Sequence, residues 1–224
     1  MSSPSTTEPS GAKAERTRAT ILAAAQDVFS KRGFAAAKLE EVADAVGVTR
    51  AALFYYFRDK QALFDAVISD SFGPLADRLR ELLKDDRGSV SQRILLATEA
   101  WVDAIVARPA LSRLILRLVA DGAEQLSQGV FADNDQIALR FFSLFEQGRR
   151  SGELKPRHED PIHTASAIIG TSVFYVAAFA MLVPHGRSQP LDAKQAEQHK
   201  REALHAARHL LGIAEGDAPP AANN

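Results

Sequence analysis

The chain contains no cysteine, which excludes disulfide staples, thiol nucleophiles and thiolate metal sites and fits a reducing compartment. Aromatic residues make up only 7% of the sequence, and Trp101 is the single tryptophan. A large charge of either sign is also missing, since the formal net charge is −1 over 224 residues. That balance gives no general attraction for nucleic acid, so any such function has to rest on a motif rather than on bulk charge. The catalytic signatures are absent too: there is no Gly-x-Ser-x-Gly, no phosphate-cradling glycine loop and no His-Glu-x-x-His. The expectation is a protein that is not an enzyme and carries no cofactor. Residues 1–11 have neither the charged start nor the apolar run of a signal peptide and are rich in Ser, Thr and Pro, so residues 1–12 read as a disordered tail.

What the sequence does have is helical periodicity. A hydrophobic content of 46% over this length is enough to bury a sizeable core. No strand-type alternation and no internal repeat interrupts the pattern, and the expectation is an all-α chain of about nine helices. The charge is unevenly spread. Residues 1–60 hold nine Lys/Arg against seven Asp/Glu, net +2, and the remainder holds 18 against 21, net −3, a weakly basic head on an acidic body.

Residues 38–60, KLEEVADAVGVTRAALFYYFRDK, organise the head. Leu39, Val42, Ala43 and Val46 form one apolar face at helical spacing, and Ala52, Leu53, Tyr56 and Phe57 form another. Gly47 lies between them, where a left-handed residue ends a helix tightly, and Thr49 follows as an N-cap. Helix, sharp turn, helix is the DNA-binding arrangement whose second helix enters the major groove. On a helical wheel Arg50, Ala51, Phe54 and Tyr55 point away from Ala52, Leu53 and Tyr56, and so toward a groove, with Arg50 suited to bidentate guanine contact. Upstream, Ile21, Leu22, Ala25, Val28 and Phe29 form the floor under the motif, in a helix expected to stop at Gly33. Lys13, Arg16 and Arg18 at its start fit either a solvated helix end or an arm reaching phosphates or a minor groove.

Residues 17–68 resemble the TetR family of bacterial transcriptional regulators. The resemblance is carried by Ile21-Leu22, Ala25, Phe29, Gly33-Phe34, Val42-Ala43, Gly47-Val48-Thr49, Leu53-Phe54, Phe57, Lys60 and Leu63. It implies that Thr49 and Lys60 meet phosphates. Two positions depart from the family pattern: Ala37 stands where a capping Thr is usual, and Phe54 where a Tyr hydroxyl often meets a phosphate. Lys38 and Tyr55 are the neighbours able to substitute.

The division expected is a helix-turn-helix domain over residues 13–60, a helical body over 61–214 and a disordered tail over 215–224. Gly73-Pro74 interrupts the connecting helix, where a kink or break is expected. In the body, Ser89 or Ser91 can cap one helix, Pro109 suits the first turn of the next, and Asp133 with Gln136 resembles a capping box. Residues 162–183 contain no charge and are apolar all round, so this helix should be buried on every side. It is long enough to span a bilayer, but Ser166, Gly170, Thr171 and Ser172 dilute the run and no basic cluster flanks it; no membrane partner is expected. A monomer core helix and a helix shared with a second subunit remain open. The final helix carries a stripe of Ala193, Ala196, Ala203, Leu204, Ala207 and Leu211 that allows close approach. The family resemblance implies that the last two long helices pair with those of a twin in a four-helix bundle, with Ala203 and Ala207 at the contact. His205 and His209, one turn apart beside Glu202, have metal-ligand spacing, but solvated positions near a helix C-terminus account for them and no metal site is assigned.

The body also holds aromatics suited to an apolar pocket: Trp101, Phe141, Phe142, Phe145, Phe174, Tyr175 and Phe179, with Arg113 and Arg117 available to orient an anion. The resemblance implies a cytoplasmic homodimer that binds a palindromic operator in double-stranded DNA, most often as a repressor released by a small-molecule effector; a flat or elongated apolar ligand is expected. Two alternatives are a ligand-independent DNA-binding accessory protein and an enzyme built on the helical body.

Overall fold

A computed structural model describes residues 10–84, 88–122, 126–127, 134–182 and 192–213. Its elements are α1 (Ser10–Ala36), α2 (Leu39–Val46), α3 (Arg50–Tyr56), α4 (Lys60–Lys84), α5 (Val90–Ala107), α6 (Pro109–Ala120), α7 (Asn134–Ser151), α8 (Pro161–Leu182) and α9 (Ala193–Leu211). No strand occurs among the described residues. The all-α expectation holds.

The head is one apolar core. Ile21, Leu22, Ala25 and Phe29 of α1 meet Leu39, Val42, Leu53 and Phe57 of the motif and Phe64, Val67 and Ile68 of α4. Leu114 and Leu118 of α6 close the same core from the body side. The turn of the motif forms as the sequence implies. Gly47 takes φ 73° and ψ 31°, and the amides of Gly47 and Val48 reach back to the carbonyls of Asp44 and Ala43. Thr49 then caps α3, its hydroxyl accepting from the Ala52 amide at 3.2 Å.

Four local expectations are corrected. The first helix begins at Ser10, inside the stretch assigned to a disordered tail, because past Pro9 the chain soon runs into strong helix formers from Ala12 to Arg16. At Gly33 φ is positive but ψ is 170°, so the glycine breaks α1 sharply and helical structure resumes to Ala36. α4 runs through Pro74 without a break, because Pro74 and Asp70, whose carbonyl loses its partner, both lie on the exposed side while Leu75 and Ala76 stay packed. Ala37 is buried one residue before the α2 N-cap, which is Lys38 with no side-chain cap bond. In the body, Ser89 forms the full capping box with Gln92 and Pro109 opens α6. Asp133 lies outside the described residues.

α9 differs most from expectation. Its stripe of Ala203, Ala207 and Leu211 is buried inside the single chain, and Ala207 and Leu211 belong to a core with Ile94, Leu95, Leu144 and Phe145. Small side chains let α9 approach α5 closely. At its end Gly212 is left-handed, and a Cβ there would fall 1.9 Å from the Lys155 carbonyl oxygen, so only glycine lets the strap at Lys155–Arg157 bond to Leu211 and Leu210. Within the single chain α8 keeps an exposed side, as a helix shared with a second subunit would. It packs on α5, α6 and α9, but Ile162, Ile169 and Phe174 remain exposed. By length and composition residues Pro161–Ala178 could cross a membrane, with 22% of that stretch buried in the chain.

His199 of α9 is buried against α8, stacked on Tyr175 at 3.9 Å and 2° with Nε2 3.3 Å from the Ser172 hydroxyl. Burial holds its pKa below the usual imidazole value. The unfolded chain therefore binds more protons than the folded one between the native pKa and about 6.5. Stability is complete above that window and falls as pH drops through it. His199→Gln is expected to flatten this slope, read by urea melts at about pH 5.5 and 7.5.

Candidate functional site

Two surfaces carry chemistry, one on the head and one inside the body. On the head, α3 presents Arg50, Ala51, Phe54 and Tyr55 outward while Leu53 is buried beneath them. Tyr55 is 82% exposed and Phe54 43%, an unusual exposure for aromatic rings on a seven-residue helix with a fully formed core behind it. Arg50 Nη1 lies 2.7 Å from Glu40 Oε1, and its guanidinium carbon sits 5.7 Å from the centre of the Phe54 ring. Lys38 and Thr49 are exposed at the starts of the two motif helices.

Lys60 lies where α1 and α4 meet. Its ammonium donates to the Ala35 carbonyl at 3.1 Å and lies 4.8 Å from the centre of the Phe34 ring. Burial pushes its pKa below the usual lysine value. The residue joins the end of α1 to the start of α4, so its charge is engaged within the chain. Beside it Asp59 caps α4, accepting from the Ala62 amide at 2.7 Å, and that bond, with Arg58 adding to it, holds the carboxyl below its usual pKa. Arg18, which fits either a solvated helix start or a basic arm, lies over the Phe57 ring at 5.3 Å.

In the body a cavity of about 330 Å³ lies between α4, α5, α7 and α8. Phe72, Leu75 and Leu79 of α4 form one wall, with Ile94 and Trp101 of α5 opposite. Phe141 and Phe142 of α7 and Ile168 of α8 complete it. No charged residue lines it among the described residues. The Thr98 hydroxyl on its wall donates to the Ile94 carbonyl at 2.9 Å. Such a space favours a hydrocarbon surface and opposes a buried charge.

Of the residues expected to form a ligand site, the structure brings Trp101 and Phe141 to this cavity, together with Phe142. Phe145 is fully buried in the core behind it. Phe174 is on the exposed face of α8, and Tyr175 is committed to His199. Arg117 donates to the Lys31 carbonyl at 3.1 Å, a link between body and head rather than part of a wall. Arg113 is half-buried on the same helix. Neither arginine is on the wall of this cavity, because α6 packs on α1 and α8 and contributes no residue to the lining. The side chain of Phe179 lies outside the described residues.

The family model for bacterial regulatory proteins of the tetR family matches residues 21–67, the head just described. The HTH-type transcriptional regulator RutR of Escherichia coli (strain K12) is 30% identical over 157 residues, 69% of this chain and 71% of RutR. The chain belongs to the TetR family. It is therefore a DNA-binding transcriptional regulator with a helix-turn-helix head. Among solved structures, AibR in complex with isovaleryl coenzyme A and operator DNA superposes with a TM-score of 0.67 at 15% identity, covering 88% of this chain and 100% of AibR. FadR of Bacillus subtilis in complex with stearoyl-CoA gives 0.58 at 16%, covering 88% and 99%. At these identities the likeness is one of fold, and it covers the helical body as well as the head.

Proposed function

We propose that this TetR-family regulator is a cytoplasmic homodimeric repressor that leaves a palindromic operator when an apolar small molecule fills the body cavity. One observation carries the reading: α4 belongs to both functional parts. Phe72, Leu75 and Leu79 form a cavity wall, and Phe64, Val67 and Ile68 on the same unbroken helix lie in the head core. Phe72 touches both, packing against the head core and against the cluster of Ile105, Leu111, Val173 and Val176. A ligand that requires α4 to tilt in order to fit shifts the head with it. The DNA affinity then falls by no more than the ligand's differential affinity for the two arrangements, typically about 1 to 3 kcal/mol.

A wall without charge among the described residues supports an effector whose buried part is hydrocarbon. The volume is at the lower end of the roughly 300 to 1,000 Å³ range of small-molecule sites. An acyl chain or a compact ring system suits it, as the acyl-CoA complexes of the fold neighbours support; any charged portion stays outside. On DNA, two copies of α3 lie roughly 34 to 36 Å apart and read successive major grooves. Arg50, Ala51, Phe54 and Tyr55 face base edges, and Lys38 and Thr49 face phosphates.

Trp101 gives the test, because the only tryptophan lines the cavity. With the DNA upstream of the gene as probe, an effector is expected to quench Trp101 fluorescence and to weaken operator binding over the same concentration range. Quenching with operator affinity unchanged would sink the release mechanism and leave the ligand-independent reading in its place.

A further inference from the structure

The Glu40–Arg50 pair joins the two helices of the motif on the outward side of α3. Their side chains are 53% and 57% exposed, and an exposed pair of this kind contributes at most about 1 kcal/mol to stability. Its geometric effect is larger. Glu40 Oε1 engages Nη1 only, and the Phe54 ring limits rotation of the guanidinium from one side. The opposite edge of the fork, Nε and Nη2, has no partner among the described residues and points to two parallel hydrogen bonds. Guanine presents the matching pair of acceptors, O6 and N7, in the major groove. A phosphate is a poor alternative, because the Glu40 carboxylate neutralises Arg50 and repels the DNA backbone.

We infer that Glu40 is a positioning residue for sequence readout: it holds Arg50 over Phe54 so that the free edge of the guanidinium reads one guanine in each half-site, and it denies Arg50 to phosphates. The inference rests on the reading of α3 as the groove-entering helix.

Selection from a randomised duplex library, followed by anisotropy titrations over a range of salt, tests it on the full chain. The parent should select a guanine that Arg50→Ala no longer selects. Glu40→Gln, an isosteric change at an exposed site, should keep the parent's melting curve. It should also cut the preference for that same guanine by about fivefold or more, within the span of one bidentate contact. Its binding to DNA lacking the operator should tighten, with a salt slope steeper by about one phosphate contact. A purely structural pair would leave base preference unmoved. An unchanged guanine preference in Glu40→Gln overturns the role of Glu40 alone, as does a change confined to a cytosine that Arg50→Ala still selects, since Glu40 would then read that base itself. A parent that selects no sequence overturns the groove assignment of α3 and this inference with it.

Discussion

Phe174→Glu is expected to give a monomer that keeps its helical content and melting curve yet loses about a hundredfold or more in affinity for the full palindrome. In the single chain Phe174 is 52% exposed, and Ile162 and Ile169 lie exposed on the same helix, separated by Ser166 and Gly170. That is an apolar face with small residues between large ones, a surface suited to close packing against a second helix. A glutamate at position 174 is solvated in the monomer, so folding is unaffected. In a subunit interface it would be desolvated without a partner, a cost of about 3 to 5 kcal/mol per site. A monomer engages one half-site, and the gain from tethering the second reader is lost. Light scattering and gel-shift assays read the two effects separately. The contrast is Ala207→Glu: this position is 0% exposed within the chain, so the charge enters the body core and the protein is expected to unfold rather than dissociate. A parent already monomeric at micromolar concentration would overturn the homodimer, and a Phe174→Glu variant that remains dimeric would place the subunit contact elsewhere.

The alanine stripe of α9 shows how far a subunit contact is legible in a sequence. A run of small apolar residues reports that another helix comes close, and is silent on whether that helix belongs to the same chain. Ala203 and Ala207 turn out to be buried within the chain, Ala207 in a core with Ile94 and Leu95 of α5, whereas the exposed face of α8 carries the larger side chains. The head could be read almost residue by residue because its signals are local: Gly47 fixes a left-handed turn, Thr49 caps the next helix, and the outward set of α3 follows from four residues on a wheel. The cavity is the opposite case. It exists where Ala97, Ala138 and Ala165 on three different helices leave space between larger neighbours. No single segment encodes that coincidence. Aromatic residues attract attention in a sequence, but aromaticity does not separate Phe141, on the wall, from Phe145, behind it. Lys60 shows a different limit, since its place in the family pattern fits both a phosphate contact and the bond to Ala35 that it makes.

Phe145→Ala and Phe142→Ala should divide stability from ligand response. Phe145 is 0% exposed and packs with Leu144, Leu154 and Leu211, so removing its ring leaves a void that the surrounding helices cannot close. The expected loss is about 3 to 5 kcal/mol. That is a large share of the roughly 5 to 15 kcal/mol that holds a protein of this kind together. The melting temperature then drops, and operator binding declines equally with and without effector, in step with the unfolded fraction. Phe142 is half-buried on the cavity wall, where its ring borders empty space on one side and has fewer packing contacts to lose. Phe142→Ala is expected to cost less stability, to leave operator affinity without effector close to that of the parent, and to shift the effector concentration needed for release. Melting curves paired with effector titrations of both variants decide the matter: if Phe142→Ala falls on the same line of lost binding against lost stability as Phe145→Ala, the cavity is a packing defect and the effector site lies elsewhere.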